Sequence, residues 1–414
     1  MRLFILLLLL LVSLTPTVVY PQIPGFFMDS KTRRMEIPFM DYSDIIIIQV
    51  SINESIPINF LLDTGVKANL LFSKTLGDEL DLFYTRKLNL MGADGKSILS
   101  ASISPNNRLD IGELKGLAQT LLVLDEDFVS LEKVLGIPVH GVIGHEFFKL
   151  NPVKIDYDRN IITFYKSSAL KRRPFGFKKL KIEINNSKPY IRSVVHQSDG
   201  STLHAKLLID TGANHSLLLN PETTDDIFIP EEVLESDLGT SLGGDLSGVI
   251  ARVPKLRIGS LSFKKLTASY PDATDFSDII IETGRQGAIG SDILSRTKLI
   301  FDYPRERLYY RRGEKYRAPF EFDMSGITLR MLPTSDKRFY VHQLREGSPA
   351  DKAGVRLGDE IISVNGIPIE FWELTGITEL LRSKEGKRVK LDVIRVKDEV
   401  TLIVSKNFTL RRQI

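Results

Sequence analysis

The stretch "NFLLDTGVKANLLF", Asn59 to Phe72, returns later in the chain as "KLLIDTGANHSLLL", Lys206 to Leu219. Each copy is an apolar run, then Asp-Thr-Gly, then a second apolar run. Asp63 and Asp210 are 147 positions apart, and Gly112 in "RLDIGEL" and Gly259 in "KLRIGSL" keep that spacing. Further on, "GVIGHEFFKLNPVKIDYDRNIITFY" from Gly141 matches "GAIGSDILSRTKLIFDYPRERLYY" from Gly287 at a spacing of 146, which also relates Asp156 to Asp302. A single deletion brings the two halves into register. The repeat therefore predicts two similar lobes, residues 35–165 and 177–311, joined by the basic linker 166–176 with its breakers Pro174 and Gly176.

Within each half the pattern is that of β structure. "DIIIIQVSIN" and "INFLLD" read as short strands in the first copy, and "PYIRSVVHQ" and "HAKLLID" in the second, separated by polar turns such as "SDGS". Helical patterns are short and confined to "SKTLGDEL", "GHEFFKL" and "GSDILSR". The expected fold is mainly β, with two pseudo-symmetric β-barrel lobes. With 414 residues, two or three domains are expected, and 43% apolar and 26% charged residues place the chain among globular proteins.

The charge balance, 55 basic against 52 acidic residues, excludes a nucleic-acid footprint. The N-terminal "MRLFILLLLLLVSL" has one Arg ahead of a Leu-rich run and then Pro16, the pattern of a signal peptide over residues 1–21. Left uncleaved, that run would be a membrane anchor. The chain has no Cys, so neither thiol chemistry nor disulfides are open to it, and export to a periplasmic or secreted location in a bacterial envelope is the expectation. "HGVIGHE" gathers His140, His145 and Glu146, but the spacing is not that of a zinc helix and the chain has six His in all, so no metal site is expected. His215, five residues past Asp210, lines a pocket or tunes the site, and Trp372 is expected to pack.

An Asp at the end of a buried strand leaves the core, and the Gly after Thr64 and Thr211 allows a tight turn. If the lobes face each other about a pseudo-two-fold axis, Asp63 and Asp210 arrive side by side. Two carboxylates so close share one proton. One can then activate a water as general base while the other polarises a carbonyl.

These residues resemble the aspartic proteases of the pepsin and retropepsin type. The resemblance covers about residues 35 to 311 and is carried by Asp63-Thr64-Gly65, Asp210-Thr211-Gly212, "GVIG" at Gly141 to Gly144 and "GAIG" at Gly287 to Gly290. It implies that Asp63 and Asp210 are catalytic, that Thr64, Gly65, Thr211 and Gly212 support the catalytic turns, with the two threonines cross-linking them, and that no cofactor is needed. It also implies substrate-covering flaps at Gly92, Ala93, Asp94 and Gly95 and at Gly239, Gly243 and Gly244, though the same glycines would serve plain hairpin turns. In pepsin-like members a hydroxyl residue follows the motif and lowers the carboxylate pKa. Here Val66 and Ala213 stand there, so the expected activity reaches toward near-neutral pH.

From Arg345, "REGSPADKAGVRLGDEIISVNGIPI" resembles the PDZ domain, over residues 320–410. That resemblance implies a small β-barrel with two helices, "SPADKAG" and "ELTGITELLRSKEG", and a groove that takes a peptide as an added strand. Its carboxylate-binding loop would be Ser325, Gly326, Ile327, Thr328 and Leu329. The family's usual Gly-Leu-Gly-Phe is absent, which points to internal segments rather than chain ends. Taken together, the expectation is a monomeric aspartic endopeptidase acting on peptides or proteins, with a PDZ domain that recruits or gates them. The alternative is a non-catalytic adaptor that binds peptides in a protease-like body.

Overall fold

The computed structural model describes residues 23–91, 98–126, 131–241, 244–273, 277–332, 334, 336–397 and 400–414. The expected signal peptide over residues 1–21 lies outside them. The protein is mainly β, in two lobes and a C-terminal PDZ-like sheet.

The strand Ile45–Ile52 is buried along nearly its whole length. Alternation explains why a continuous apolar run is needed there: Ile46, Ile48, Val50 and Ile52 face the main core, while Ile45 and Ile47 face a second apolar layer. It pairs antiparallel with Ile58–Leu62, as Lys188–His196 pairs with Thr202–Ile209 in the second lobe. The second layer of the second lobe is much thinner, consisting of Tyr190, Leu208 and Ala288 with Leu218 against them.

The lobes are fastened to each other by one six-stranded sheet. At its centre Val153–Asp156 of the first lobe runs antiparallel to Thr297–Asp302 of the second, Ile155 opposite Leu299. Lys298 reaches across this seam to buried Asp156 at 2.7 Å and to Asp158 at 2.9 Å. Main-core side chains from both lobes form one continuous cluster.

The three helices read from the sequence form at Lys74–Glu79, His145–Phe148 and Ser291–Leu294. Two more, Leu131–Leu135 and Ser277–Glu282, were not expected. In the C-terminal sheet, Ile327–Met331 is an edge strand, flanked by the helix Leu374–Leu381. The other expected helix forms at Pro349–Lys352, capped by Ser348. The chain leading into this sheet is tied to the second lobe: Arg296 donates to the carbonyls of Ala318 and Pro319 and lies 3.6 Å over the Phe320 ring, and Arg252 donates to the Phe320 carbonyl.

Candidate active site

Each Asp-Thr-Gly turn begins where a buried strand runs out of partners. Ile58–Leu62 lies parallel to Gly141–Ile143, and the last ladder bond runs from Asp63 N to the Ile143 carbonyl at 3.0 Å. In the second lobe Thr202–Ile209 lies parallel to Gly287–Ile289, and Asp210 N donates to the Ile289 carbonyl at 2.9 Å. The turn then folds back on its own carboxylate. Gly65 N donates to Asp63 Oδ1 at 2.6 Å and Gly212 N to Asp210 Oδ1 at 2.9 Å. The glycine segments lie directly against the loops: a Cβ on Gly144 would stand 2.5 Å from the Val66 carbonyl oxygen, and one on Gly290 would overlap that of His215.

The threonines join the two turns. Thr64 N donates to Thr211 Oγ1 and Thr211 N to Thr64 Oγ1, both at 3.1 Å. Each hydroxyl then donates across the lobe boundary, Thr64 Oγ1 to the Ile209 carbonyl at 2.6 Å and Thr211 Oγ1 to the Leu62 carbonyl at 2.9 Å. Both threonines are completely buried, so these four bonds form away from water.

This brace sets the carboxyls over one another's glycines. A Cβ on Gly65 would lie 2.9 Å from Asp210 Oδ2, and one on Gly212 would overlap the Asp63 carboxyl. The Asp63 carboxyl is held well above the ordinary carboxylate range. Desolvation by the surrounding protein is the largest cause, the Asp210 charge and its hydrogen bond add to it, and the Gly65 amide and Lys188 oppose it.

Four further groups face the pair. Tyr157 and Tyr303 are buried within electrostatic reach of it, and neither hydroxyl has a hydrogen-bond partner among the described residues. Burial, then Asp63 and Asp210, raises Tyr303 well above the usual phenol. Lys188 and Arg285 are each lowered chiefly by desolvation and are each within electrostatic reach of Asp210. None of these four was expected from the sequence. The tyrosines do carry a signal, since "IDYD" and "FDYP" are equivalent in the repeat, but the two cations have none. Desolvation lowers His215 while the nearby Asp210 charge opposes it, and its Nε2 has no partner among the described residues. Nor do His140, His145 and Glu146 make a metal site: no cluster able to hold a metal occurs among the described residues, and His145 instead packs 5.7 Å from the Tyr303 ring.

Two hairpins form next in sequence to the positions expected to be flaps. The first pairs Lys87–Met91 with Ile98–Ile111, Met91 opposite Ile98; Gly92, Ala93, Asp94 and Gly95 lie outside the described residues. The second pairs Leu234–Ser241 with Gly244–Ile258. Gly239 sits in it at a bulge with φ of 119°, Gly244 begins its second strand, and Gly243 lies outside the described residues.

In the C-terminal module, the loop amides are already taken. Ser325 N and Gly326 N donate to the two oxygens of Asp323 at 3.0 and 2.6 Å, and Ile327 N donates to Ser325 Oγ at 3.0 Å. Asp323 thus holds both of these loop amides, with Arg345 at 3.6 Å. Thr328 and Leu329 belong to the edge strand itself.

Comparison with known proteins agrees with this layout. The aspartyl protease family model matches residues 48–147 and again 196–293, and the PDZ domain model matches residues 340–395. The Carboxy-terminal processing protease CtpA of Bacillus subtilis is 42% identical over 134 residues, which are 32% of this chain and 27% of that protein. Tax1-binding protein 3 of Homo sapiens and that of Mus musculus are each 36% identical over 62 residues, 15% of this chain and 46% of theirs. The chain therefore spans less than half the length of each of these relatives. It joins two aspartyl protease regions, one around each Asp-Thr-Gly turn, to a C-terminal PDZ domain.

Proposed function

We propose that the protein is a single-chain aspartic endopeptidase in which Asp63 and Asp210 act as one unit. The observation that carries this reading is the crossing of the turns, with each carboxyl over the other's glycine and Asp63 biased toward its protonated form. The pair then holds one proton at pH values where an ordinary carboxyl has lost its own. Asp210 takes a proton from a water as that water attacks the peptide carbonyl, and Asp63 gives its proton to the carbonyl oxygen. Asp210 then gives the water-derived proton to the amide nitrogen while Asp63 takes a proton back from a gem-diol hydroxyl, and the C–N bond breaks to leave a carboxylic acid and an amine, with the pair restored. Thr64, Gly65, Thr211 and Gly212 position the carboxyls and do not touch the substrate. The two long hairpins cover the extended peptide.

The PDZ domain recruits peptide segments by strand addition at Ile327–Met331. With Asp323 holding the loop amides, internal segments suit this groove better than free chain ends. Both acids lie in one chain, so a monomer is sufficient. Export fits the apolar N-terminal run and the absence of Cys.

The test is replacement of either acid. Asp63→Asn and Asp210→Asn should each lower cleavage of a mixed peptide library by about 10³-fold or more while peptide binding persists. Unchanged cleavage in either variant rejects the reading, and no cleavage by the wild-type protein at any pH favours the non-catalytic adaptor.

A further inference from the structure

Two cations, Lys188 and Arg285, stand beside the paired carboxyls. Lys188 is the first residue of its strand, immediately after the Asn186–Ser187 turn, where φ is 46° and 68°. The strand's register sets Tyr190 opposite Leu208, so two residues earlier Lys188 comes level with Asp210. Arg285 lies two residues before the strand Gly287–Ile289, and its side chain interacts with Tyr190 and Asp210. Its Nε is buried without a hydrogen-bond partner. Lys188 and Arg285 repel each other, and among the described residues neither forms an ion pair with a carboxylate.

Holding two partly desolvated cations together costs free energy, which the attraction of Asp210 and Asp63 offsets only in part, since both cations stay lowered. Nor does the architecture demand them. The equivalent positions of the first lobe are Ile45, which follows the turn Ser43–Asp44, and Val139, two residues before Gly141; both are buried in the apolar second layer. The asymmetry is therefore specific to one side of the cleft. On that side Lys206 lies 4.7 Å over the Tyr190 ring but is paired with Glu183 at 2.8 Å, so Lys188 and Arg285 are the cations left to meet a substrate.

We propose that Lys188 and Arg285 form a carboxylate subsite next to the scissile bond, so that the preferred substrates are peptides presenting an acidic group there. A guanidinium fork and an ammonium together match the two oxygens of a carboxylate. The group is either an Asp or Glu side chain or the carboxylate at the end of the chain. This inference rests on the reading of Asp63 and Asp210 as the cleavage site.

The experiment compares peptide sets that differ by Glu or Gln at each position flanking the cut, each set with a free or an amidated C-terminus. The wild-type protein should favour the acidic member by about tenfold or more in kcat/KM at one position. A preference that follows Glu over Gln identifies a side-chain carboxylate, and one that follows the free over the amidated end identifies the terminus. The preference should fall toward unity in Lys188→Met with Arg285→Met and survive in Lys188→Arg. Equal rates for all members in the wild-type protein overturn the subsite while leaving the cleavage reading intact, and this arm needs no variant to fold. Affinities of the same peptides for Asp63→Asn separate the two ideas in the other direction. If the wild-type protein cuts nothing yet Asp63→Asn binds the acidic members about tenfold more tightly, the subsite stands and the cleavage reading falls.

Discussion

At the scale of single residues, the Asp63 carboxyl links pH to both activity and stability. Its pKa is raised by desolvation first and by Asp210 second, so the fold prefers the protonated form. Activity needs the shared proton and is lost as pH rises through that raised value. The basic limb of kcat/KM should therefore lie above the ordinary carboxyl value of 3.8. Removing the Lys188 charge, which favours ionised Asp63, should move that limb further up in Lys188→Met. A pH-rate profile checks both, and an optimum far into the acid range or a limb that moves downward rejects the assignment. For stability the sign is that of any group whose folded pKa exceeds its unfolded one. The stabilising contribution is complete below pH 3.8 and disappears as pH rises through the folded value. Asp63→Asn should accordingly raise the denaturation midpoint at pH 7 and give no gain near pH 3, as chemical unfolding at the two pH values would reveal. Both acids were legible in the sequence because a repeated Asp-Thr-Gly is a local signal. Lys188 and Arg285 were not, since a Lys after a turn and an Arg before a short strand look like ordinary surface residues until register and lobe docking bring them to the pair.

At the scale of elements, the two turns hold because each supplies what the other lacks. A buried N–H or carbonyl left without a partner costs about 1–3 kcal/mol. Thr64→Val would strand two such groups, the Thr211 amide and the Ile209 carbonyl. The expected loss is about 2–5 kcal/mol in the unfolding free energy, with much of it restored in Thr64→Ser, because serine keeps the hydroxyl. A Thr64→Val protein as stable as the wild type would mean that the lobes are not braced this way. The strands were legible from alternation and β-branching, and the three expected helices formed where read. Leu131–Leu135 and Ser277–Glu282 escaped; like the three that were read they span less than two turns, too few for a 3.6-residue period to show, and the two repeat-matched helices at His145 and Ser291 had the Gly-x-x-Gly segments beside them as a signal.

At the scale of the whole molecule, the PDZ domain does not simply trail behind the lobes. Its edge strand Ile327–Met331 and helix Leu374–Leu381 border the groove expected to take a peptide, and the first-lobe helix Leu131–Leu135 lies against that strand. Immediately after it comes Gly136 at φ of 75°, where an added Cβ would stand 2.9 Å from Leu374 Cβ. The domain was legible from "GSPADKAG" and "GDEIISVNG", but its docking was not, because it depends on where the tether held by Arg296 and Arg252 lets it settle. Valine at position 136 is disfavoured twice, by the positive φ and by contact with Leu374. Gly136→Val should therefore loosen the PDZ domain from the first lobe without disturbing the six-stranded sheet. Hydrogen exchange should rise across residues 327–331 and 374–381 and stay unchanged at 153–156 and 297–302. Because the first-lobe helix lies against the strand proposed to take the peptide, loosening should also tighten peptide binding by the domain, measured by fluorescence anisotropy. Faster exchange throughout the molecule would show instead that Gly136 serves the folding of the lobe, and unchanged exchange in the PDZ segments would show that the docked arrangement contributes nothing in solution.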